Sequence, residues 1–146
     1  MSISCILCNH QDYMKDFKKW NSIKTKIEVK REETYYFNER EIWWSSLGLN
    51  VGHEEDGKNQ LYERPVLILK KFNSKIVWVL PMSSKIKSGK YYYQIEHGGV
   101  IYTVLLSQLK LMSSKRLIRQ VQQIKKIPLI DFKHIKDRLI ELISEN

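Results

Sequence analysis

The sequence predicts a mainly β, mixed α+β protein: a small antiparallel barrel-like sheet, with a C-terminal helix behind it and an extra helix ahead of it. Three observations carry this. Short runs of β-forming residues follow one another closely between residues 39 and 112, a spacing that suits a compact antiparallel sheet. Apolar residues at helical intervals occur only before and after that stretch. No apolar run is long enough to span a membrane, so a soluble protein is expected.

From Asp12 to Glu33, Tyr13, Phe17, Trp20, Ile23 and Ile27 recur at helical spacing. Lys15, Lys18, Lys19, Lys24, Lys26 and Lys30 crowd the remaining surface, which describes an amphipathic basic helix packed on the main domain. A membrane-surface helix or a nucleic-acid arm are the other readings of such a face. Met1 to Gln11 shows no periodicity and is expected to be irregular. Residues 1–37 are thus a basic amphipathic helical extension, and residues 38–146 the main domain.

Glu39 to Leu47 reads as the first strand. Val66 to Leu69 and Ile76 to Leu80 are continuous apolar runs joined by a polar, lysine-rich connection, as expected of buried hairpin strands. Lys90 to Glu96 alternates, and His97-Gly98-Gly99 supplies the residues for a tight turn into Val100 to Leu106. Gln108 to Met112 is a further short strand. Phe132, Ile135, Leu139 and Leu142 then fall at helical intervals, with Pro128 near the start and Asp131 available to favour the first turn.

At 146 residues and 42% hydrophobic content, the chain is large enough for one domain with a modest core. Lys and Arg number 25 against 16 acidic residues, a net charge of +9, so a polyanion is the natural partner to test. Cys5 and Cys8 form Cys-x-x-Cys with His10 following, which invites a zinc or redox reading. A structural zinc wants four ligands, and the chain has no second cysteine pair, so neither a metal nor a cofactor is expected. Two free thiols and no signal peptide fit the reducing cytoplasm.

The most informative stretch runs from Asn38 to Leu69, where a strand empties into a Gly-punctuated acidic loop holding His53. The run Glu41-Ile42-Trp43-Trp44, then Gly48, Asn50-Val51-Gly52-His53-Glu54, Asp56-Gly57-Lys58 and Arg64-Pro65-Val66-Leu67-Ile68 resembles the opening of the PemK/MazF family of bacterial toxins. The resemblance continues through Leu80-Pro81-Met82-Ser83-Ser84-Lys85, Leu105-Leu106-Ser107-Gln108 and Lys115-Arg116-Leu117, and covers roughly residues 38 to 144. It implies an SH3-like barrel of the CcdB/PemK type, usually a homodimer, acting as a type II toxin: a metal-independent, sequence-selective endoribonuclease on single-stranded RNA. A cognate antitoxin is the implied protein partner.

Such a reaction needs a base for the 2′-OH, a proton donor for the departing 5′-oxygen, and positive charge on the phosphoryl oxygens. The resemblance assigns the charge to Arg64, whose guanidinium grips phosphate and stays protonated. A salt bridge to Glu54, Glu55 or Asp56 is its alternative. Ser83 stands where the family has a threonine, its hydroxyl directed at the scissile phosphate, with Ser84 as a second donor; the alternative is a pair of turn-forming serines. His53 supplies the base, an imidazole being the side chain that titrates near neutrality, unless it is simply an exposed loop residue.

Glu54 and Gln108 carry over as groups to read base edges or orient the loop. Lys58, Lys85 and Lys87 are expected to follow the RNA backbone, although the Lys85 to Lys90 segment also reads as a solvated hairpin tip. Asn59 to Glu63 is an insertion relative to shorter family members and lengthens the loop over the cleft. Of Trp43 and Trp44, one should face inward and one outward. The rival readings are a non-catalytic CcdB-like toxin that binds DNA gyrase and a plain RNA-binding barrel.

Overall fold

The computed structural model describes residues 14–30 and 36–145. The expectations for Met1 to Gln11, including Cys5, Cys8 and His10, lie outside the described residues, as do those for Asp12, Tyr13 and residues 31–33 of the expected helix. That helix, α1 (Phe17–Val29), starts at Asp16, whose carboxylate accepts the Lys19 N–H at 2.9 Å and so satisfies one of the free donors of the first turn. Seven strands follow: β1 (Ile42–Ser46), β2 (Glu63–Lys71), β3 (Ile76–Ser83), β4 (Tyr92–His97), β5 (Val100–Leu105), β6 (Lys110–Ser113) and β7 (Leu117–Gln120). The chain ends in α2 (Leu129–Ser144). The expected mixed α+β class is the one observed.

All neighbouring strands are antiparallel, in the order β4-β5-β3-β2-β1-β7, with β6 also on β3. On its edge away from β2, β3 pairs with β6 from Ile76 to Val79 and with β5 at Met82 and Ser83. Only Ser114–Arg116 separate β6 from β7, which pairs with β1. The chain therefore crosses directly from the β3 edge to the β1 edge and curls β1, β2 and β3 into a small barrel. Gly98 and Gly99 both have positive φ, 58° and 76°, the requirement of a type I′ turn between β4 and β5.

Side-chain alternation explains why the apolar runs are continuous. Val66 and Ile68 of β2 and Val77 and Val79 of β3 share a cluster inside the curl with Trp43, Leu47, Phe37, Met112 and Leu117. The residues between them, Leu67, Leu69, Leu80 and Met82, join Ile42, Val121 and Ile124 beneath Phe132, Ile135 and Leu139 of α2. Both faces are covered from Val66 to Leu69 on β2 and from Val79 to Met82 on β3, so neither face has a polar set there. Trp43 packs in the first of these clusters and Trp44, on the opposite face, is partly buried against the second, where the sequence reading set one of the two outward. Burying each such side chain contributes about 1.5–3 kcal/mol.

Candidate functional site

Arg64 lies on β2 and Ser83 ends β3. Val66 pairs with Pro81, and the same register continued by two residues sets Arg64 opposite Ser83. Both point to the face that carries Val66 and Val79, so they stand side by side on neighbouring strands. Both are also largely covered, at 5% and 7% exposure. For Arg64 the cover comes from the segment between β1 and β2, through Glu55 and Asp56.

The guanidinium is held from three sides. Nε donates to the Asp56 carbonyl at 2.6 Å, Nη1 donates to the Met82 carbonyl at 3.0 Å, and Nη2 pairs with Glu55 Oε1 at 2.5 Å. The salt bridge anticipated as Arg64's alternative role therefore exists, with Glu55. Burial pushes the Arg64 pKa below the ordinary arginine value, with Glu55 and then Asp56 pulling the other way; the group stays cationic. A guanidinium has five N–H bonds, and among the described residues these contacts use three of them. From β1, the Ser45 hydroxyl donates to the Arg64 carbonyl at 3.2 Å and fixes the backbone from below.

Ser83 Oγ accepts the Lys85 N–H at 3.2 Å, the local turn contact anticipated as its alternative, and retains its own O–H for another acceptor. Ser84 is exposed beside it. Lys85 and Lys87 follow in a loop tied to Thr103, whose hydroxyl donates to the Lys85 carbonyl at 2.8 Å and accepts the Lys87 N–H at 3.4 Å. The Lys87 ammonium sits 5.5 Å from the Tyr92 ring centre.

The covering loop is stitched to itself. Gly48 donates to the Tyr62 carbonyl at 3.0 Å and accepts from Gly57 N–H at 2.7 Å, and the main chains of Lys58 and Glu63 exchange bonds at 2.7 and 2.8 Å. Asn59 and Tyr62, in the inserted part, have positive φ of 59° and 53°. Asn59 offsets that by accepting the Leu61 N–H on its own side chain at 2.8 Å.

Gln108, in the 3-10 turn after β5, uses both ends of its amide on the loop. Its Oε1 accepts the Glu55 N–H at 3.0 Å and its Nε2 donates to the His53 carbonyl at 3.1 Å, the loop-orienting geometry of the two options. His53 is itself exposed on the loop, two residues before Glu55.

The pair lines one cavity, and a second lies beside Glu55, the ion-pair partner of Arg64. Arg64, Ser83, Ser84 and Lys58 line one of about 350 Å3 whose other walls come chiefly from the α2 side of the sheet, including Trp44, Glu63, Met82 and Tyr102. Glu54, Glu55, Gln108 and Lys110 line a smaller one of about 180 Å3. Burial and then the neighbouring Arg116 push the Lys110 pKa below that of a free lysine, with Glu54 and Asp56 opposing. The structure thus brings Arg64, Ser83, Ser84 and Lys58 to one cavity and Glu54 and Gln108 to the other, with His53, Lys85 and Lys87 on the surrounding loops.

Sequence reasoning passed over Ser45, Glu63 and Tyr102. Glu63 is buried at 7% exposure, with Oε2 near Arg119 Nη2 at 3.4 Å and Asn59 Nδ2 at 3.3 Å. A carboxylate directly ahead of Arg64 at the mouth of an apolar strand was the available signal. Among the described residues no helix is long and apolar enough to cross a membrane.

The fold has solved counterparts. The crystal structure of MazF (Form-I) from Deinococcus radiodurans superposes with a TM-score of 0.60 at 19% identity, over 76% of this chain and 99% of that one. The Mycobacterium tuberculosis toxin MazF-mt6 gives 0.54 at 15% identity, over 73% and 99% respectively. At such identities the likeness speaks for the fold. No curated protein sequence matches the chain significantly. The model of the PemK-like, MazF-like toxins of type II toxin-antitoxin systems matches residues 38–143, most of the chain, and the protein belongs to that family.

Proposed function

We propose that this protein is the toxin of a type II toxin-antitoxin pair and a metal-independent endoribonuclease that cuts single-stranded RNA, messenger RNA included, at selected sequences. One observation carries the reading: the β2–β3 register, extended two residues past Val66 and Pro81, sets Arg64 opposite Ser83, and among the described residues two guanidinium N–H bonds and the Ser83 hydroxyl proton have no partner. That pair suits a phosphodiester gaining negative charge, to which charge-assisted hydrogen bonds are roughly twice as strong as neutral ones. His53, on the covering loop, takes the 2′-OH proton. Attack of that oxygen on phosphorus breaks the P–O5′ bond; the departing O5′ takes a proton from solvent water, and the products are a 2′,3′-cyclic phosphate and a 5′-hydroxyl.

Lys58, Ser84, Lys85 and Lys87 bind the backbone, while Glu54 reads a base edge in the smaller cavity and Gln108, which also lines it, orients the loop. Residues 1–37 form an appended arm and 38–146 the toxin domain, which works in the cytoplasm as a homodimer. The cognate antitoxin covers the basic groove with an acidic, partly disordered segment.

The test is incubation of the purified protein with a long RNA in EDTA, followed by mapping of the ends. Discrete cuts with 5′-hydroxyl and cyclic phosphate termini are expected. Intact RNA contradicts the reading and favours a gyrase-binding toxin; binding without cutting favours a plain RNA-binding barrel.

A further inference from the structure

The loop that covers Arg64 is folded around an ammonium group supplied by the N-terminal extension. Lys15 Nζ lies 2.6 Å from the Asn50 carbonyl, 3.0 Å from the Gly52 carbonyl and 2.8 Å from Asp56 Oδ2. An ammonium has three N–H bonds, and all three are used. Asp56 is the shared element: its Oδ1 accepts the Asn50 N–H at 2.6 Å, and its main-chain carbonyl accepts from Arg64 Nε at 2.6 Å. Two carbonyls and a carboxylate therefore converge on one point, an arrangement that is unfavourable without a cation donor at its centre.

The helix that follows Lys15 is seated to hold it there. The Trp20 ring lies against Gly48, so closely that a Cβ at that position would come within 2.1 Å of it. Trp20 also meets the Tyr62 ring edge-on at 6.1 Å, and Lys19 Nζ donates to Gln60 Oε1 at 2.6 Å. The contacts span the loop from one end to the other. Lys15 and the helix residues Lys19 and Trp20 all precede residue 38, where the family match begins.

We propose that Lys15 is a positioning residue for Arg64: its ammonium sets the loop in the shape that places Glu55 and the Asp56 carbonyl against the guanidinium. The proposal rests on the endoribonuclease reading above for its catalytic consequence, and on the contacts alone for its structural one. The extension is then part of the working site, although it touches no reacting atom.

Lys15→Ala, with the full chain otherwise intact, separates the two. Hydrogen exchange at the Asn50, Glu55 and Gly57 amides is expected to quicken while the β2 and β3 amides stay protected. RNA cleavage should fall about 10- to 100-fold, the scale of a displaced catalytic group. Propylammonium should restore both saturably, whereas tetramethylammonium, with no N–H, should restore neither at the same ionic strength. Unchanged loop exchange overturns the proposal, as does cleavage that is unchanged or raised when the loop loosens, or equal rescue by both cations. Wild-type protein that leaves RNA intact removes the endoribonuclease reading and the catalytic half with it; the exchange result then decides the loop-setting half by itself.

Discussion

Glu55 Oε1 lies 2.5 Å from Arg64 Nη2, with the arginine side chain 6% exposed and the glutamate 23%. A guanidinium this covered depends on its counter-charge, because removing one partner of a buried pair leaves the other uncompensated. Glu55→Gln keeps a hydrogen-bond acceptor and loses the charge. It should lower the unfolding free energy by about 1–3 kcal/mol in urea titration. An unchanged midpoint would show that the pair contributes nothing to the closed loop.

Gly48 joins sequence to packing at one atom. Its φ is +81° and a methyl group there meets the Trp20 ring. Gly48→Ala combines backbone strain with overpacking, each on the order of 1–3 kcal/mol. We expect destabilisation of about 2–4 kcal/mol together with a changed Trp20 environment in near-ultraviolet circular dichroism. Wild-type stability and spectrum would contradict the seating of α1 on the loop.

Tyr93 ties β4 to α2, donating to Asp131 Oδ1 at 2.8 Å. Burial, and then the hydrogen bond to Asp131, push its pKa up to about 12. The unfolded tyrosine ionises near its ordinary value of about 10, so this contribution is complete below about pH 10 and is lost as the pH rises to about 12. Tyr93→Phe should cost about 1 kcal/mol at neutral pH. The gap to wild type should narrow across the alkaline window, and a constant gap would refute the linkage.

The β4–β5 turn offers a local control. Gly98→Asn retains a residue that tolerates positive φ and reduces the freedom of the unfolded chain, so it should raise stability by a few tenths of a kcal/mol, roughly. Gly99→Val should lower it by about 1–3 kcal/mol, because a β-branched residue resists φ of 76°. Thermal unfolding of both variants checks the turn type.

Much of this fold was legible because it depends on period. The apolar runs on β2 and β3, the Trp43-Trp44 alternation and the α2 stripe at Phe132, Ile135 and Leu139 each report which face is covered. The strand β7 was missed: Leu117–Gln120 is four residues long, directly follows a 3-10 turn, and becomes a strand by pairing with β1. Arg64 and Ser83 were found through motif resemblance, and their shared face follows from strand register. What sequence alone did not convey is the closure over them. Glu55 on Arg64, Gln108 on His53 and Lys15 inside the loop join residues that are 9, 55 and at least 35 positions apart. Such contacts depend on tertiary placement and leave no periodic trace.

The most direct test of the central claim is a double-mutant cycle on cleavage of one defined single-stranded RNA, using Arg64→Gln, Ser83→Ala and the combination, with folding verified by circular dichroism. If the two side chains serve the same phosphodiester, each single change should lower kcat/KM by about 100-fold or more, and the double should lose far less than the product of the two. Losses that simply multiply, or wild-type cleavage by either single variant, would contradict it.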